Sequence, residues 1–427
     1  MIKLNIIKNR KFSIILIILL LVFFSWGFLS ATYKTFPFNI VRNIYWKFAT
    51  TNPPLIMDNE KISYITKFYT NKEFINYQKN ILLKKFKNIK KDSNLFRKKI
   101  IDKYILPNKL VKFSKSEINE ILNKKTLIHL QHHKFQNKPP KDSILLKVKY
   151  YNINHFGVLE TNQNNKKLLI YHQGHGGNPY NFEYFLYLKE KFKSKGYDVL
   201  SLSMSGFGYN LLGNTDYSFP INAEKNSEVS FNYTFGNRQL LDHYIYRHYY
   251  DNNYPNIMPH ALMLSGNYYL IKNLENNYDE IVMIGISGGG SATSMLAGLI
   301  PKINKSYNFH SLLPKIFRLN REGDWEESYS NIWDEYSYWD FYFLALLDSE
   351  NFQNREHHII HNLERTRPGG PLGGENVLYA FNNPFAKMFK NLVDFTAIDK
   401  LSVIVLDKTP HEIDIKFLEN YILKKLD

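Results

Sequence analysis

Ile281-Val282-Met283-Ile284-Gly285-Ile286-Ser287-Gly288-Gly289-Gly290 decides how the rest of this 427-residue chain is read. Its four leading apolar residues form a strand buried on both faces, the kind found inside parallel sheets. Gly285, Ser287 and Gly289 then give G-x-S-x-G, so the strand ends in a turn that leaves the serine hydroxyl projecting. Side chains beside the serine would collide with the strand or with whatever follows. Glycine removes that clash and bares the Gly288 N–H. Ser291 to Gly298 is a run of small, helix-compatible residues, as close packing of strand and helix requires. A glycine-rich phosphate-binding turn is the competing reading, but no lysine follows the glycines.

Upstream, Leu145–Tyr150, Phe156–Glu160 and Leu168–His172 read as short strands separated by Asn-rich turns. The last of them runs into Gln173-Gly174-His175-Gly176-Gly177. A buried strand ending in glycines leaves unhindered backbone N–H groups aimed at one spot. Donors from His175 and Gly176, with Gly288, form a candidate oxyanion site.

These motifs together resemble the α/β-hydrolase superfamily over about two-thirds of the chain. Tyr197–Ser203 leading to Gly206-Phe207-Gly208 looks like the strand and loop that precede the cap of such enzymes. Residues 209–257 would then be the cap, and Leu262–Leu274 the helix before the nucleophile strand. The resemblance implies an α/β fold with a mostly parallel central sheet and helices on both faces. It also implies a general base after the last strand. Leu401–Leu406 is that strand, and His411 follows it, trailed by a helical pattern from Ile413 to Leu426. Imidazole suits the task because it takes and returns a proton near neutral pH.

The third member must be a carboxylate between residues 287 and 411, near the end of the penultimate strand. Glu364 follows the short strand His357–Asn362, with a helical stretch from Val377 to Phe395 beyond it. Asp348, after the apolar run Phe341–Leu347, is the alternative. The implied activity is cleavage of an acyl ester through an acyl-Ser287, with no metal or organic cofactor. An acyltransferase using the same serine, and a catalytically silent hydrolase fold acting as a binding protein, are the rival readings.

Outside residues 145–427, charge and hydropathy organise the chain. Residues 1–11 carry four cations, and none of residues 12–33 is charged. At about 1.5 Å per residue that stretch reaches about 30 Å, the thickness of a bilayer core. It reads as a transmembrane anchor, with a cleaved signal peptide as the competitor. A cytoplasmic tail at 1–11 puts the remainder outside the cytoplasmic membrane. Residues 34–144 form a basic, mainly helical membrane-proximal region. Within it, residues 61–126 hold 18 Lys and Arg against 5 Asp and Glu. That segment is a candidate contact for anionic lipid or an acidic polymer. Ser114-Lys115-Ser116-Glu117 has the form of a capping box and predicts a helix start there. The rest of the net charge of +16 is spread close to neutrality. No nucleic-acid motif accompanies the lysines, so nucleic acid is not expected as a partner. The absence of cysteine excludes disulfides, thiolate metal sites and cysteine nucleophiles.

Overall fold

A computed structural model describes residues 71–105, 111–122, 137–150, 153–161, 165–175, 177–210, 259–311, 314, 332–347, 355–362, 384–406 and 411–426. Residues 12–33, expected to anchor the chain in a membrane, the expected cap beyond Asn210, Gly176, Asp348 and Glu364 lie outside them. Among the described residues, no helix is long and apolar enough to cross a membrane.

Nine strands build one sheet: β1 (Val111–Glu117), β2 (Ile144–Tyr150), β3 (Ile153–Glu160), β4 (Lys167–Gln173), β5 (Tyr197–Ser203), β6 (Glu280–Ile286), β7 (Lys305–Phe309), β8 (Glu356–Asn362) and β9 (Leu401–Leu406). Their order is β1-β2-β3-β5-β4-β6-β7-β8-β9. β1, β2 and β3 pair antiparallel, as do β3 and β5, and every pair from β5 to β9 is parallel. This is the mostly parallel, helix-flanked architecture expected of an α/β-hydrolase. The direction of winding reverses at β4, because the chain steps from β4 to β5 on one side and returns as β6 on the other. Open α/β sheets form their ligand crevice beyond the carboxyl ends of strands at such a point. The sequence puts its two glycine-rich turns there, after β4 and after β6.

Period-2 side-chain alternation divides the central strands between two cores. Ile281 and Met283 of β6 face one side with Leu168 and Ile170 of β4. Val282, Ile284 and Ile286 face the other with Leu169 and Tyr171. All of these are essentially fully buried, and each contributes about 1.5–3 kcal/mol relative to exposure. On the first side the sheet is covered by helices α1 (Lys72–Lys91), α2 (Ser93–Tyr104), α4 (Pro259–Lys272), α5 (Gly288–Leu299), α6 (Tyr338–Leu344) and α7 (Pro384–Thr396). Helix α3 (Glu183–Ser194) and the C-terminal helical turns from Ile415 to Lys425 cover the second.

The basic segment is fastened to this scaffold. Leu82 and Ile89 of α1 and Ile100 and Tyr104 of α2 are buried in the first core. Lys85 reaches the buried Asp340 at the start of α6, at 2.8 Å. Arg97 of α2 donates to the carbonyls of Gly298 and Leu344, each at 2.8 Å, and to that of Leu347. A second buried guanidinium, Arg355, donates to Leu344 at 2.8 Å, Leu347 at 2.5 Å, Ile303 at 2.9 Å, Ile300 at 3.2 Å and also to Ala297. Two cations therefore gather the orphan carbonyls at the C-terminal ends of α5 and α6, where the helix dipoles favour positive charge.

One local expectation is corrected, and one strand was not anticipated. The capping-box residues Ser114–Glu117 do not start a helix: they finish β1, and only Asn119–Leu122 is helical. Seven residues of β1 pair with β2, with Val111 and Phe113 packed against the core, and that non-local gain outweighs one helical turn. The strand is β7, which the apolar pattern did not reveal. Its Ser306 and Asn308 are buried polar residues: Ser306 Oγ meets His357 Nδ1 at 2.8 Å, and the Asn308 amide donates to Ser294 Oγ at 2.5 Å.

Replacing Arg355 with Met leaves Leu344 and Leu347 to Arg97 and Ile300 to the Ile303 N–H, but strips the guanidinium from the Ala297 and Ile303 carbonyls. Each group so deprived costs about 1–3 kcal/mol, so the variant should lose about 3 kcal/mol. A urea titration at constant slope checks this, through a lower midpoint.

Candidate functional site

Ser287 is the first residue past β6 and stands at φ 59°, ψ −130°. For a residue with a Cβ that conformation costs about 1–3 kcal/mol and persists only where the surroundings impose it. They do so from both sides. The Ser287 N–H donates to the Phe309 carbonyl of β7 at 2.8 Å, and the Ser287 carbonyl accepts from Ser291 N–H at 3.1 Å, opening α5. The flanking glycines are steric necessities. A methyl group at Gly285 would lie 2.2 Å from the Gly289 carbonyl oxygen, and one at Gly289 would lie 2.2 Å from that of His172. The serine is thus presented, partly exposed, at the N-terminal end of α5.

The loop after β4 presses on this turn. A methyl group at Gly174 would sit 2.5 Å from the Ile286 carbonyl oxygen, 2.7 Å from Ser287 Cβ and 2.9 Å from the Gly288 nitrogen. The structure therefore brings together the two turns from which oxyanion donors were expected. The imidazole of His175 itself lies close to Gly288: a methyl there would meet His175 Cε1 at 2.7 Å and Met204 Sδ at 2.5 Å. His175 is held edge-on to Phe207, ring centroids 4.7 Å apart. Backbone N–H groups fixed at a helix start, where the dipole favours negative charge, are suited to an oxyanion.

Behind the loop lies a buried polar network that the sequence did not announce. Asn267 of α4 accepts from His155 Nε2 at 2.7 Å and donates to His172 Nε2 at 2.7 Å. The tautomers follow from bond roles. His172 Nδ1 faces the Gln173 carbonyl at 3.0 Å, which only accepts, so the proton is on Nδ1 and Nε2 is free to accept. Asn267 must then turn its NH2 to His172 and its oxygen to His155. His155 is protonated on Nε2, and its Nδ1 faces Ser205 Oγ at 3.2 Å. Asn210, at the mouth of the cap segment, donates to the Ser203 carbonyl at 2.9 Å and accepts from Phe156 N–H at 2.7 Å. Asn267 thus ties β4 to β3, and Asn210 ties the loop after β5 to β3. The one clue in the sequence was an asparagine inside the otherwise apolar face of Leu262–Leu274.

Three histidines gather at the carboxyl ends of β7, β8 and β9. His310 directly follows β7, His361 lies in β8, and His411 comes soon after β9. The His310 ring centroid is 5.2 Å from that of His411 and 6.2 Å from that of His361. His310 Nε2 faces the Glu412 carbonyl at 3.0 Å. Because Phe309 binds the Ser287 N–H, His310 stands one residue from the Ser287 backbone contact. His411 is thereby brought to the Ser287 end of the sheet. Burial, then the neighbouring His310 and His411, push His361 well below the usual imidazole range. Among the described residues no group of three or more His, Cys, Asp or Glu is arranged to hold a metal ion. Both carboxylate candidates, Glu364 and Asp348, fall outside the described residues. Leu347, directly before Asp348, has its carbonyl bound by the same Arg97 that binds Gly298, at the end of α5 away from Ser287. Asn362, two residues before Glu364, pairs with Leu406 at the end of β9.

No protein-family model and no curated protein sequence matches the chain. Among solved structures it is similar to acetyl xylan esterase 1 from Thermoanaerobacterium sp. JW/SL YS485, at 12% identity over 78% of this chain and 93% of that one, TM-score 0.40. It is similar to a putative acetyl xylan esterase from Bacteroides fragilis, at 13% identity over 78% and 80%, TM-score 0.42. A Pyrococcus furiosus esterase matches at 13% identity over 68% and 92%, TM-score 0.37.

Burial holds His155 down at about 4 and His172 at about 3, against about 6.5 in an unfolded chain. Between those values the unfolded chain binds protons that the folded one does not, so stability is full above pH 6.5 and falls as pH drops toward 3. His357, held near 3 by burial, adds to the same slope. Urea midpoints measured from pH 7 to pH 4 should decline steadily across that interval.

Proposed function

We propose that the chain is a serine-dependent ester hydrolase that acts through a covalent acyl-Ser287. The observation that supports this most is the left-handed turn at Ser287, with the β4 loop pressed against its backbone. A strained, glycine-flanked serine at the head of a helix is an arrangement with no packing advantage of its own, and acyl transfer uses every part of it.

In the proposed reaction His411 removes the Ser287 proton as Oγ attacks the ester carbonyl carbon. The carbonyl π electrons move to oxygen, and Gly288 N–H with a donor from the His175–Gly176 turn stabilises the anion. The tetrahedral species collapses, the C–O bond to the alcohol breaks, and the alcohol leaves with the proton held by His411. Water, deprotonated by the same imidazole, then attacks the acyl-serine and releases the acid. We assign the supporting carboxylate to Glu364. The end of β8 runs beside the end of β9, whereas Leu347 is fixed at the far end of α5. Ten residues of helix separate Gly288 from Gly298, about 15 Å at 1.5 Å per residue. One peptide beyond Leu347 does not span that distance.

The tether at residues 12–33 and an extracytoplasmic catalytic domain belong to the same proposal, with O-acyl esters on surface glycans or lipid esters as the substrate class. Exposed Tyr77, Ile81 and Leu95 stand beside exposed Lys84, Lys87, Lys91, Lys98 and Lys99 on the outer faces of α1 and α2. Apolar residues among lysines suit contact with an anionic membrane surface.

A fluorophosphonate probe should label the wild-type chain at Ser287. The Ser287→Ala variant should remain folded and unlabelled, and hydrolysis of p-nitrophenyl acetate should be lost with the label. A folded wild type that neither labels nor hydrolyses the ester would favour a binding protein on a hydrolase fold.

A further inference from the structure

We infer that His310 is a positioning residue for the general base, holding the His411 peptide to β7, the strand that binds the nucleophile's N–H, through the Glu412 carbonyl. The inference deepens the reading of Ser287 and His411 given above and rests on it for its catalytic meaning.

Its basis is a chain of two hydrogen bonds. The Ser287 N–H donates to the Phe309 carbonyl at 2.8 Å. The next residue, His310, faces the Glu412 carbonyl through Nε2 at 3.0 Å. A carbonyl only accepts, so the imidazole must carry its proton on Nε2. The nucleophile and the residue after the base are thus referred to a single dipeptide, Phe309-His310. That dipeptide is itself rigid. The His310 N–H donates to Ile360 of β8 at 2.9 Å, and its φ of 52° places it in the left-handed region that L-residues seldom occupy. His310 is only 4% exposed, so water does not replace its bond to Glu412 without opening the site.

This contact grips the peptide directly after His411. Beyond Glu412 the next anchors are Ile413, buried in the second core, and Asp414, whose carboxylate caps Phe417 N–H at 2.7 Å. Those hold the helical turns that follow. The His310 bond holds the stretch in front of them, where His411 must meet Ser287. A displacement of about 1 Å at a reacting group costs about 10²-fold in rate.

Two variants separate positioning from packing. Asparagine tolerates the left-handed backbone, but its amide is too short to reach Glu412. Glutamine places an N–H donor about as far out as Nε2. With p-nitrophenyl acetate, His310→Asn should lower kcat about 10²-fold while KM stays within about twofold. His310→Gln should recover most of that loss. Hydrogen exchange of the peptide spanning 411–417 should quicken in His310→Asn and return toward wild type in His310→Gln, with thermal unfolding of both variants still cooperative. Wild-type kcat in His310→Asn, or a Gln variant as slow as the Asn variant, overturns the inference. So does unchanged exchange in 411–417. If the wild type itself fails to react at Ser287, the hydrolase reading has failed, and the exchange data still decide whether His310 holds the loop.

Discussion

A serine at φ 59° at the end of a buried parallel strand is the constraint on which the remaining structure depends. Nothing local favours it. Two glycines are required for the chain to turn there at all, since a methyl at Gly285 or Gly289 would stand 2.2 Å from a carbonyl oxygen. The turn is kept by its neighbours: β7 supplies the carbonyl for the Ser287 N–H, the loop after β4 lays Gly174 against the turn, and α5 begins at once with residues that are all buried. Each of those elements is placed by the sheet order, which brings β4 and β6 side by side at the reversal of winding. The strain of about 1–3 kcal/mol is small beside the burial of a nine-stranded sheet with two cores, but it is concentrated on one hydroxyl.

Around the strained turn, the polar side chains act mainly as fasteners. Asn267 fixes two neutral histidines under the loop after β4, and burial keeps both neutral far below the usual range. Arg97 and Arg355 bind the far end of α5, so the helix that starts at Ser287 is held at both ends. The α1–α2 segment is bound onto the sheet by one of those arginines and by Lys85.

The turn at Ser287 was legible from sequence because its chemistry leaves so little freedom: a buried apolar strand, glycines at fixed offsets and small residues after them. The terminal strand Leu401–Leu406 and the helical turns behind His411 were legible for a similar reason, since periodicity carries them. What escaped notice has a physical cause in each case. β7 alternates Tyr307 and Phe309 with Ser306 and Asn308, and those polar residues find their bonds on β8 and α5. β1 is a lysine-rich edge strand whose capping-box pattern is local, while the pairing that overrides it comes from β2. His310 and Asn267 look ordinary in sequence. Their significance lies in contacts with residues about a hundred positions away, Glu412 and His172, which no window of sequence displays.

The central claim is that Ser287 and His411 work on one acyl carbon with Gly288 holding its oxygen. A crystal structure of the full chain after reaction with a fluorophosphonate tests it most directly. The account requires phosphorus bonded to Ser287 Oγ, the phosphoryl oxygen on the Gly288 N–H, and a His411 ring nitrogen within hydrogen-bond reach of an adduct oxygen. An adduct on any other residue, or a His411 ring turned away from a Ser287 adduct, would contradict it.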